Sequence, residues 1–166
     1  MKLKTTIFTS LLFFFLTFQP LSSPEVTEPK KAEFKDHVIA IGEMTAINLF
    51  LYDLNTLFLE SNPPEVSFDI FLNNLKTPWV WDFSSFKRNQ FFHPYIGASY
   101  FNDGRANNLN FIQSFLLATA GSFMWEAYLE GPVISLNDFI TTPLDGAILG
   151  EILHRLYFPT YDFCKP

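Results

Sequence analysis

The chain has 166 residues, a formal net charge of -6 and a single cysteine. An acidic chain with no Lys/Arg cluster is a poor match for nucleic acid or for an anionic lipid surface. Cys164 alone cannot close an internal disulfide, so packing must hold the fold and the thiol reads as an inert residue of the tail 159–166. Phenylalanine is abundant, with 21 residues. That abundance implies an aromatic-rich core or an apolar face that meets a membrane or a partner.

Lys2 and Lys4 precede an apolar run over 7–18 and a more polar, small-residue exit over 19–23. This is the pattern of a secretory signal over 1–23, with cleavage near Ser22 or Ser23. The apolar run is shorter than the ~20 residues that cross a bilayer. Loss of Lys2 and Lys4 with the signal takes the charge from -6 to -8. Residues 24–36, rich in Pro, Glu and Lys, read as a polar tether. Residues 37–158 are then one domain's worth of chain.

Apolar residues broken by Glu43, Asn48, Asp53 and Asn55 predict a first helix over 38–60, ended by Asn62-Pro63-Pro64. Phe68, Phe71, Leu72 and Leu75 share one side of a short helix over 65–75, which Thr77-Pro78 stops. An irregular aromatic connection follows over 79–88. Pro94 suits a first helical turn, so the next helix is expected over 94–107, with His93 placed like an N-cap and Asn107-Asn108 as a turn. A strong helix is predicted over 110–130, closed by Gly131-Pro132. Ser135-Leu136-Asn137-Asp138 has capping-box spacing for a short helix. Thr142-Pro143 is expected to open the last helix, with Thr142 as N-cap, running to about Tyr157. Ala118 with Ser122, and Gly146 with Gly150, let helix backbones approach closely. The fold expected is mainly α, a compact bundle of four to five helices with small-residue contacts.

The polar residues that interrupt the aromatics of the C-terminal half are the candidate chemistry. Glu126 and Glu130, four apart on one helix, read either as a solvated acidic end or as a pair holding a cation, with Arg105 the natural protein partner. Glu151 and His154 have the E-x-x-H spacing of di-iron bundles, but a second such motif is missing. Glu130, Glu151 and His154 are therefore weak metal ligands, and Glu151 paired with Arg155 at i, i+4 is the stronger reading. His93 suits a general base near neutral pH. No P-loop, Rossmann glycine pattern, H-E-x-x-H or EF-hand loop is present, and no cofactor is expected.

Taken in order, Trp81-Asp82-Phe83, Asn89-Gln90-Phe91, His93-Pro94-Tyr95, Tyr100-Phe101-Asn102, Arg105, Gly121-Ser122, Trp125-Glu126, Ser135-Leu136-Asn137-Asp138, Thr141-Thr142-Pro143, Gly150-Glu151 and His154-Arg155 form a series of separated motifs. The series resembles the core of the domain of unknown function 3943 family over residues 79–157. Asp103-Gly104 stands where the family's pattern suggests an alanine pair, and Asn107-Asn108 where it suggests Asn-Gly. The resemblance implies an exported protein of a Gram-negative type envelope, in the periplasm or at the outer membrane. It implies a membrane or an outer-membrane protein as partner, and it supplies no reaction.

Two functions fit these residues. In the favoured one the chain is a non-catalytic envelope module, and Asn89, His93, Asn102, Arg105, Glu126 and Asp138 hold its connecting loops. In the other it is a membrane-proximal hydrolase or transferase acting on envelope lipid or glycan. His93 would then be the base, Glu126 or Asp138 its partner, and Arg105 the anion-binding group, with Asn89, Tyr100, Asn102 and Trp125 on the substrate. Gly121, Gly146, Gly150, Glu151 and Arg155 are structural in either reading.

Overall fold

The computed structural model describes residues 30–59, 65–83, 88–131 and 133–157. The predicted signal segment, Cys164 and the tail lie outside them. Helix α1 (Phe34–Leu54) runs on into a π-helical turn (Asn55–Leu59), and α2 (Phe68–Lys76) follows. A second π-helical turn (Arg88–Phe92) leads into α3 (His93–Ala106). Helix α4 (Phe111–Met124) ends in a third (Trp125–Leu129), and α5 (Leu136–Tyr157) completes the described bundle. Five helices pack together, and the described residues contain no strand; one parallel bridge joins Val80 to Ser135. The mainly α bundle is the architecture expected from the sequence.

Several helix ends follow from local chemistry. Ser67 caps α2, its hydroxyl accepting from the Ile70 N–H at 3.2 Å, and Thr77 closes it in extended geometry. Asn110 and Gln113 exchange hydrogen bonds of 2.9 and 3.0 Å as a reciprocal box at the start of α4. Asn108 takes the left-handed conformation, φ 63°, in the turn before it. Asparagine is the residue that best replaces glycine there, which accounts for Asn107-Asn108 in place of Asn-Gly.

Three predicted boundaries are corrected. Helix α1 begins at Phe34, four residues before the expected start, because the Glu33 N–H donates to the Asp36 carboxylate at 2.9 Å and closes the first turn. His93 is not a cap: the π turn ahead of it is already helical, with Phe92 at φ -67° and ψ -52°. Thr142-Pro143 does not open the last helix, because α5 starts at Leu136 and keeps Pro143 inside it. The earlier start is fixed at Ser135, whose hydroxyl accepts the Asp138 N–H at 3.3 Å and whose own N–H is held by the Glu126 carboxyl at 3.1 Å.

Helix α3 is central and packs most extensively on α5. The two cross where Gly97 and Gly146 meet backbone to backbone: a methyl group on Gly97 would strike the Thr142 carbonyl, and one on Gly146 the Gly97 backbone. Gly121 and Gly150 leave room for the rings of Tyr100 and Phe101. Gly104 lies against Ser114 on α4, so the alanine suggested at this position would force α3 and α4 apart. The core joins Ala40 and Met44 of α1 to Tyr100, Phe101, Leu117, Ala118 and Ala147.

Polarity in this bundle is partly inverted. Asp36, Ala40, Met44 and Asn48 are the buried residues of α1, while Phe34, Val38, Ile39 and Ile41 are exposed. Helix α2 buries Asn74 and leaves Phe68, Leu72 and Leu75 of its apolar side exposed. On α5 the outward residues are Leu136, Ile140, Leu144, Ile148, Ile152 and Leu156, with Leu156 75 % exposed. The buried polar groups are matched to partners across the bundle. The Tyr100 hydroxyl donates to Asn48 Oδ1 at 2.6 Å, and Asn48 Nδ2 donates to the Gly121 carbonyl at 3.2 Å. Asn74 Nδ2 donates to the carbonyls of Ala127 and Gly131 at 3.0 and 2.7 Å, tying α2 to the end of α4.

Candidate functional site

A π turn closes i to i+5 and carries one residue more than an α turn, so it widens the helix and re-aims side chains. All three π turns of this bundle border one cavity of about 270 Å³. Asn55 comes from the first, Arg88 and Phe92 from the second, Trp125 and Glu126 from the third. Leu51, Leu54, Ile96 and Tyr100 supply apolar and aromatic wall. Ser122, Glu130, Thr142 and His93 complete it.

Glu126 is the most perturbed group of the site. It is 2 % exposed, and its carboxyl is pushed up to about 10 from 4.5. Burial is the main cause, followed by the neighbouring Glu130 charge and a hydrogen bond with it; the Ser135 N–H opposes the rise, and Asp138 adds to it. Trp125 Nε1 donates to Glu130 Oε2 at 2.9 Å and holds that carboxylate at the wall. Glu126 is buried, so the pair is not a solvated acidic end, and the Arg105 expected beside it lies with Glu151 instead.

His93, on the cavity wall, meets Asp138 behind it. His93 Nδ1 hydrogen-bonds Thr142 Oγ1 at 3.0 Å, while Nε2 faces Asp138 Oδ1 at 3.8 Å and has no hydrogen-bond partner. Asp138 is 1 % exposed and takes the Ser135 hydroxyl at 2.8 Å and Asn137 Nδ2 at 2.9 Å. Asn137 Oδ1 in turn accepts the Asp82 N–H at 2.8 Å, which fastens the segment after Val80 to the start of α5.

Of the predicted site residues, His93, Glu126, Tyr100 and Trp125 line the cavity and Asp138 backs it. Arg105 does not join them. Its Nε lies 3.2 Å from Glu151 Oε2 and its Nη1 donates to the Leu109 carbonyl at 3.0 Å, so it fixes the turn between α3 and α4. Asn89 and Asn102 lie off the cavity wall, each with its Oδ1 buried and without a hydrogen-bond partner. Arg155 donates to Glu151 Oε1 at 2.8 Å, which leaves Glu151 between two guanidinium groups. Burial and the Arg105 charge lower the His154 imidazole's affinity for a proton. Among the described residues no group of three or more His, Cys, Asp or Glu side chains is placed to hold a metal. Glu130, Glu151 and His154 therefore do not converge. Arg88, Asn55, Ser122 and Thr142 were not read as site residues. Ser122 and Thr142 did stand within the family-like motifs, whereas Asn55 and Arg88 lie on wide helical turns, which leave no residue signature.

The motifs that supply these side chains match one family model, Domain of unknown function (DUF3943), over residues 78–158. This segment belongs to the DUF3943 family. The DUF3943 segment covers α3, α4 and α5 with the two π turns attached to them, so it contributes most of the cavity wall. Helix α1, which adds Leu51 and Leu54, lies outside it. No curated protein and no solved structure matches the chain.

Proposed function

We propose that this chain is an exported helical module of a bacterial cell envelope that works at a membrane through its outer surface, without catalysing a reaction. The observation that carries this reading is the inverted polarity. Side chains that would normally face water, Asn48, Asn74, Glu126, Asn137 and Asp138, are inside and hold helix ends and loops. Large apolar side chains run along the outside of α1, α2 and α5. Helices that pack through glycine, alanine and internal hydrogen bonds, with their large apolar groups outward, suit an environment where apolar surface need not be hidden. Among the described residues no helix is long and apolar enough to cross a membrane, so the contact proposed is with an interface or with an outer-membrane protein.

The alternative of hydrolysis or group transfer loses its anion-binding group, because Arg105 is committed to Glu151 and Leu109. The hydroxyl on His93 is that of Thr142, and both side chains are buried.

The test is fractionation of cells expressing the tagged chain, with inner and outer membranes separated, washed in alkaline carbonate and the N-terminus determined. A form cleaved near Ser22 or Ser23 that stays with washed membrane is the expected result. An uncleaved chain in the cytosolic fraction, or a cleaved one released by the wash, overturns the reading.

A further inference from the structure

The surface role leaves the cavity unexplained. Its lining includes two carboxyls four residues apart at the end of α4, Glu126 and Glu130, together with the apolar and aromatic Leu54, Phe92, Ile96 and Tyr100. We propose that this cavity binds a small protonated organic amine, with the ammonium between Glu126 and Glu130 and an apolar or aromatic body against Phe92, Ile96 and Leu54.

Size, donor set and charge each support this occupant. A cavity of about 270 Å³ exceeds the ~150 Å³ that admits benzene, so it accommodates one ring with a short arm. A divalent metal needs more oxygen ligands than two carboxyls provide, whereas an ammonium has three donors for two or three acceptors. Trp125, Tyr100 and Phe92 also line the cavity, and aromatic rings attract a desolvated cation. The charged and titratable groups facing Glu126 are Glu130 beside it at the end of α4, Asp138 on α5, and His93, Tyr100 and Arg88 from α3 and the turn before it. With Glu126 itself counted, three carboxyl groups meet two basic ones. Glu126 tolerates its position by keeping a proton, since burial and Glu130 raise its pKa. An entering ammonium takes the place of that proton: Glu126 ionises, the ion pair forms, and one proton leaves to solvent for each amine bound.

The experiment uses the purified full chain, phenethylamine as probe, and hydrocinnamate as the matched carboxylate, read by titration calorimetry and tryptophan fluorescence. The expected result is saturable one-to-one binding of the amine, tightening about tenfold per pH unit between about pH 6.5 and 8.5 through the released proton. Glu126→Gln and Glu130→Gln should each weaken it at least tenfold while helical content is retained and melting is no lower than the parent's. Should Glu126→Gln not fold, the half-buried Glu130→Gln decides. The proposal is overturned by the absence of saturable amine binding, by hydrocinnamate binding as tightly, by pH-independent affinity, or by a folded Glu130→Gln that binds like the parent. None of these outcomes depends on where the protein resides in the cell.

Discussion

Replacing Glu126 with glutamine should flatten the pH dependence of stability. The folded carboxyl holds its proton up to about pH 10, against 4.5 for the ordinary group. Below about pH 4.5 both folded and unfolded chains carry the proton and the site costs nothing. As pH rises above that, the unfolded chain ionises and the folded one does not. Stability then falls by about 1.4 kcal/mol for each pH unit until about pH 10. Glutamine has the shape of the protonated acid: its carbonyl accepts the Ser135 N–H and its amide serves Glu130. Glu126→Gln and the parent should therefore be similar below about pH 4.5. The variant should lead by about 5.5 kcal/mol at pH 8.5, four units at ~1.4 kcal/mol each, a large share of a domain's total stability. Asp103, raised by burial and by Glu43 from 3.8 to about 8, tilts both curves alike and cancels in the difference. Urea unfolding followed by helical circular dichroism across this range measures the gap. Parallel curves, with a gap constant to within about 1 kcal/mol, would falsify the claim that Glu126 stays protonated in the fold.

The helix crossing and the buried tyrosine give two further tests. Gly97→Ala should cost about 3 kcal/mol or more, since the added methyl meets backbone that cannot give way. Gly42→Ala, on α1 with nothing within 4 Å, should gain about 0.5–1 kcal/mol from helix propensity; thermal melts that shift the same way for both would contradict the backbone contact. Tyr100→Phe should cost about 1–3 kcal/mol by stranding Asn48 Oδ1. Adding Asn48→Leu should recover part of that loss, and strictly additive losses in the double-mutant cycle would show that the two side chains do not act as a pair.

The helices were legible where capping chemistry marks them. Ser67, Thr77, Asn110 with Gln113, and Gly131 each behave as their side chains or backbone freedom dictate. Pro143 misled because a proline after a threonine imitates a helix start, whereas Glu126, nine residues earlier in the chain than Ser135, had already fixed the true one. That contact is tertiary and invisible to local pattern. Glu126 looked solvated because like charges four apart usually are. Asn48 looked like an interruption of an apolar helix, yet it marks the buried face, because this bundle puts polar groups inside. The candidate site was half legible: His93, Glu126, Tyr100 and Trp125 stand at the cavity, but Arg105 was grouped with them by proximity in sequence and lies with Glu151 instead.

Each π turn inserts one residue at the end of a helix and leaves the α-helical part beside it unchanged. The Glu130 N–H reaching back to the Trp125 carbonyl at 2.9 Å is the signature of such an insertion. A helical bundle can thus acquire a hollow, or lose one, by the gain or loss of single codons at three places, without redesign of the helices that carry them.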